Sequence, residues 1–156
     1  MFENTGFNQD NNYWMDDKMI IGNFGIFESM REVASITLSS WIVSELQRVD
    51  EKNTLVLLSE LNSNISVLQS LLVGYHYAEA GQVCNLIIKE NSIFFHDLVD
   101  LSGAFTVEYE THYFMACSDN RYDMVNKMVI DFTIDSEEGI INLQGEEIRE
   151  RTPDSY

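Results

Sequence analysis

At Gly81 the spacing of apolar residues changes, and no other feature constrains the fold as much. Before it, apolar side chains recur at three- and four-residue steps; after it they alternate, and β-branched and aromatic residues become dense. A step of about 3.6 marks one face of a helix, and a step of two marks one face of a strand. The chain therefore reads as a helical half followed by a sheet half.

Met30, Ala34, Leu38, Trp41, Leu46 and Val49, with Ile42 filling one longer skip, predict an amphipathic helix over about 27–49. The polar break Asp50-Glu51-Lys52-Asn53-Thr54 follows, where Asn53 or Thr54 is placed to cap a second helix by accepting from its first-turn amides. Leu58, Leu61, Ile65, Leu68 and Leu72 predict that helix over about 54–73, weakened at Gly74 and closed by Gly81. So short a break favours an antiparallel helical hairpin.

Five strands are expected beyond Gly81: Val83–Ile88, Ile93–Val99, Ala104–Cys117, Lys127–Asp135 and Ile140–Leu143. The connections Lys89-Glu90-Asn91-Ser92, Asp119 to Asp123 and Ser136-Glu137-Glu138-Gly139 are too short for parallel crossovers, so an antiparallel meander is predicted. The fold class is α+β, with an N-terminal helical hairpin packed on a C-terminal five-stranded sheet. The expected organisation is one domain over 1–156. It comprises a loosely ordered arm at 1–20 that docks through Phe2, Phe7, Tyr13 and Trp14, a helical layer at 21–81, the sheet at 82–144 and a charged tail at 145–156.

Charge then limits the partners. There are 26 Asp and Glu against 9 Lys and Arg, a formal net charge of -17, whereas solubility alone asks for a magnitude of about 2–8 on a small domain. Such a surface repels nucleic acid phosphates and anionic membranes and speeds encounter with a cationic partner. At 45% hydrophobic and 12% aromatic the chain has the apolar surface to fold in spite of that repulsion. No apolar run reaches the roughly 18–20 residues of a membrane span, and Met1 to Asp10 has no basic region leading into an apolar stretch, so a cytoplasmic protein is expected. Cys84 and Cys117 match no zinc or redox spacing and read as two reduced, buried thiols; no cofactor and no metal are expected.

Alternation assigns faces. Phe105, Val107, Tyr109, Tyr113, Met115 and Cys117 share the core face of the long strand, and Met128, Ile130, Phe132 and Ile134 that of its neighbour. The opposite faces combine into an acidic surface carrying Glu108, Glu110, His112, Asp131 and Asp135, with Glu137 and Glu138 as a second patch on the adjoining turn. A catalytic carboxylate pair needs a concave, partly dry site, and a metal centre needs a compact ligand set; the sequence displays neither. Alternating polar residues are also what the wet side of any antiparallel sheet displays, but that does not explain the excess of one sign. Rigidly held carboxylates with aromatic anchors suit recognition of a basic protein surface, and Glu108, Glu110, Asp131, Asp135, Glu137 and Glu138 are the expected partner-binding residues.

His76 reads as a packed or helix-terminal histidine, and His96 can meet Asp97 only if its strand bulges. With no nucleophile motif or phosphate loop, no enzymatic activity is expected. No family is recognisable by motif. The profile of size, acidity and missing catalytic signature resembles that of bacterial immunity proteins, which neutralise a cognate toxin such as a nuclease; the resemblance implies a partner class and assigns no residue. One alternative is a phage or mobile-element nucleic-acid mimic that disables a host defence protein. Another is a small-molecule enzyme or binder with a pocket lined by Tyr109, Tyr113 and Phe132.

Overall fold

The computed structural model describes residues 31–48 and 53–148; the expected arm at 1–20 and most of the expected tail lie outside them. In chain order the elements are β1 (Val33–Thr37), α1 (Ser40–Gln47), α2 (Asn53–Ser63), α3 (Ile65–His76), β2 (Gln82–Ile88), β3 (Phe94–Asp97), β4 (Ser102–Met115), β5 (Asn120–Asp135) and β6 (Ile140–Gln144). Among the described residues, three helices and an antiparallel sheet of six strands make a mixed α+β fold, with the helices ahead of the main strands as the change of period predicts.

The first correction falls at Val33–Thr37, which is a strand and not the opening of a helix over 27–49. It pairs antiparallel with β6, from Val33 opposite Gln144 to Thr37 opposite Ile140. Ala34, Ile36 and Leu38 fit a step of two as well as Ala34 and Leu38 fit a step of four, and β-branched Val33, Ile36 and Thr37 suit the open edge of β6. The helix starts only after Ser39, whose carbonyl accepts from Ile42 N at 3.0 Å. Its inner face is Ile42, Val43 and Leu46, while Trp41, expected to be inside, is 62% exposed.

The helix expected over 54–73 is two helices bent by 71° around Asn64. The Asn64 side chain donates to the Glu60 carbonyl at 2.9 Å, the local competition that makes Asn a poor residue inside a helix. The leucine stripe nevertheless continues across the bend, with Leu57 and Leu61 buried on one side and Leu68, Leu71 and Leu72 on the other. Asn53 is buried and donates its amide to the Leu46 carbonyl at 3.1 Å, tying the end of α1 to the start of α2; the expected cap had it accepting from its own helix.

The sheet order is β1-β6-β5-β4-β2, with β3 also on β4. Lys89 to Ser92 is therefore not a hairpin turn. β2 and β3 run in the same direction along one edge of β4, interrupted by a 3₁₀ turn at Glu90–Ser92. The β4–β5 hairpin is longer than expected, because Asn120 to Asp123 belong to β5 and only 116–119 turn. The assigned faces hold from Phe105 to Tyr113 and from Met128 to Ile134, whereas Met115 and Cys117 are exposed. Gly103 lets β3 close on β4: a Cβ there would collide with the Phe94 carbonyl oxygen and sit 2.7 Å from the Phe132 ring. Phe105, Val107, Ile130, Phe132, Ile141 and Leu143 meet Leu46, Leu57, Leu61, Leu68 and Leu72 in one core, so the helices occupy one side of the sheet.

Candidate functional site

The other side of the sheet carries the expected acidic residues, but not as one cluster. Glu110 lies opposite Val125 and Asp131 opposite Ala104, six residues apart on β4. At strand spacing that is about 20 Å, more than twice the ~8 Å over which salt screens exposed charges. Two separate groups result.

In the first, Glu108 lies opposite Lys127 and accepts from Lys127 Nζ at 3.0 Å and from Lys89 Nζ at 2.8 Å. Hydrogen bonds from Lys89 and Lys127 hold its carboxyl below the ordinary value. Glu110 Oε2 accepts from Asn85 Nδ2 at 2.8 Å and lies 4.0 Å from His112 Nε2. His112 Nδ1 makes a tight contact with Asp123, its cross-strand partner. Cys84 stands opposite Glu110 on β2. Its Sγ, a Glu110 carboxylate oxygen and a His112 ring nitrogen all lie within 4.8 Å of one another. Burial pushes the Cys84 thiol up, and the charges of Glu110 and Asp123 add to the effect. His112 and Asp123 also line a half-open depression of about 600 Å³ with Gln82, Tyr113, Phe114 and Arg121.

In the second group, Asp131 pairs with Arg31 at 2.8 Å, while Asp135 Oδ1 accepts from the amides of Glu137 at 3.0 Å and Glu138 at 2.9 Å. Asp135 is thus the residue that shapes the turn. Glu137 and Glu138 are exposed, make no ion pair among the described residues, and border a shallow depression of about 420 Å³ with Ser40, Ser44 and Gln47 of α1.

Sequence reasoning missed Cys84, Asn85 and Asp123. Cys84 faces Glu110 as its direct cross-strand partner, and Asn85 reaches the same carboxylate because β2 shifts register between Cys84 and Ile87 and Asn85 takes a φ of 51°. Regular alternation would send consecutive side chains to opposite faces. Asp123 falls in an expected loop, and only the full length of β5 sets it opposite His112. The one available signal was the alternation continuing through Tyr122 and Met124.

The remaining histidines have structural partners. His76 bridges Tyr109 OH at Nε2 and Tyr113 OH at Nδ1, each at 2.9 Å, pinning α3 to β4. Burial lowers the His76 value and pushes Tyr109 up to about 12. Asp97 accepts from Val99 N at 2.7 Å and Asp100 N at 3.1 Å, and His96 packs edge-on against Phe94.

No family model, curated protein or solved structure matches the chain.

Proposed function

We propose that this chain is an acidic inhibitor that captures and neutralises a basic partner protein in the cytoplasm, with a bacterial toxin nuclease as the partner class. The observation that carries the reading is the excess of 26 acidic over 9 basic residues. Carboxylates mounted on strands and on a tight turn keep their positions on binding, which lowers the ordering cost of an interface.

The turn carboxylates and the strand carboxylates take different parts. Glu137 and Glu138, stiffened by Asp135, present carboxylates that make no ion pair among the described residues and form the first contact with partner lysines and arginines. Glu108, Glu110 and Asp131 form the supporting face. Glu108 and Asp131 already hold the chain's own Lys89, Lys127 and Arg31, so an incoming guanidinium has to share or displace those partners. The exchange contributes to selectivity more than to gross affinity.

The test is capture of the partner from host cytosol by the tagged full-length chain, followed by titration of the purified partner's activity. Stoichiometric inhibition of a basic nuclease is expected. Capture of an acidic or neutral protein whose activity is unchanged would contradict the proposal.

A further inference from the structure

We propose that Cys84, Glu110 and His112 form a binding site for a borderline divalent metal ion, with zinc(II) as the ion and Asp123 and Asn85 as residues that position its ligands. This goes beyond the inhibitor reading and does not depend on it.

The donor set is one thiol sulfur, one imidazole nitrogen and one carboxylate oxygen, all within 4.8 Å of one another. Sulfur and nitrogen donors together select zinc over calcium and magnesium, which take oxygen donors. Bond lengths of about 2.0–2.3 Å at tetrahedral angles put neighbouring donor atoms roughly 3.3–3.6 Å apart. His112 Nε2 and Glu110 Oε2 stand at 4.0 Å, so side-chain rotation of a few tenths of an ångström brings that pair to bonding geometry. The ligands come from two hydrogen-bonded strands, which hold them in place before any ion arrives.

The surroundings match what a metal-ligating histidine requires. His112 turns Nε2 toward Glu110 and gives Nδ1 to the Asp123 carboxylate, an arrangement that fixes the tautomer and raises ligand basicity. Asn85 holds the Glu110 carboxylate from the other side at 2.8 Å. Cys84 faces Glu110 as its direct cross-strand partner, and Asn85 reaches the same carboxylate through the register shift that follows in β2, a device for re-aiming side chains. The Glu110 carboxylate beside Cys84 favours a cation in the same place; on binding, the ion takes the thiolate and the thiol proton leaves to solvent. Half-exposed Glu110 and His112 leave the fourth corner to water.

The experiment uses the full-length chain carrying Cys117→Ser, which leaves Cys84 as its single thiol. Alkylation of Cys84 is followed with and without zinc, and cobalt(II) is added separately as a spectroscopic stand-in. Zinc is expected to slow alkylation, and cobalt to give a thiolate charge-transfer band, each at one ion per chain. His112→Gln should abolish both effects, while Asp123→Asn should weaken zinc binding by about 10–100-fold. Circular dichroism checks that each variant is folded. Unchanged alkylation in the presence of zinc would overturn the proposal. So would protection that survives His112→Gln, since that describes a cation held loosely by the acidic surface.

Discussion

The two ends of the β4–β5 hairpin share one ladder and differ in almost everything else. Pairing is continuous from Ser102 opposite Thr133 to Met115 opposite Asn120. At the base, Phe105, Ile130 and Phe132 are buried beneath the helices and β5 also pairs with β6. Toward the tip, Phe114, Met115, Tyr122, Met124 and Val125 are exposed, although their backbones pair as fully. A ladder of hydrogen bonds exchanged against water contributes little net stability, so burial under the helices makes the base the cooperative part of the fold. The Cys84–Glu110–His112 cluster sits where one regime gives way to the other.

The largest effect that tests this contrast is Phe132→Ala at the base, expected to cost about 3–5 kcal/mol in chemical denaturation. Gly103→Ala is expected to cost about 1–3 kcal/mol, because its methyl must displace either the β3 backbone or the Phe132 ring. Tyr122→Ala at the tip removes a ring stacked on Tyr113 at 4.9 Å and should cost only about 0.5–1.5 kcal/mol. If Tyr122→Ala destabilises as much as Phe132→Ala, the tip belongs to the core and the comparison fails. Hydrogen exchange sharpens the same point: amides of 120–126 should exchange well before those of 128–134.

The smallest effect concerns pH. His76 in the folded chain has a value lowered from 6.5 by burial, so the unfolded chain binds its proton first as pH falls. The stability from the Tyr109–His76–Tyr113 link is then fully present above about 6.5 and is lost as pH drops through the lowered folded value. Glu108, also lowered, contributes above its ordinary value of 4.5 and loses that contribution as pH falls further. Denaturation midpoints of wild type and His76→Gln should converge as pH falls below about 6. Parallel curves would remove the His76 contribution from the account.

How much of this was legible in the sequence differs by region. The buried face of β4 and β5 was readable because alternation is a local property, and the leucine stripe of α2 and α3 was readable for the same reason. Val33–Thr37 was not, since its residues fit either period and the decision came from a partner strand more than a hundred residues away. The acidic face was correctly assigned to one side of the sheet. Its division into two groups depends on register, and its neutralisation by Arg31, Lys89 and Lys127 depends on long side chains from other elements. Cys84 meets Glu110 through the pairing of two strands that are distant in sequence, and Asn85 joins them through a bulge that leaves no periodic trace.

In the proposed inhibitor, charge on this surface steers a basic partner into place. The most direct measurement is the association rate of the captured partner by stopped flow across a salt series, for the wild type and for Glu137→Lys combined with Glu138→Lys, with circular dichroism as the folding control. The rate is expected to fall steeply as salt rises and screening shortens, and the variant to stay folded, associate more slowly and depend less on salt. A rate independent of salt, together with unchanged association in the variant, would contradict it.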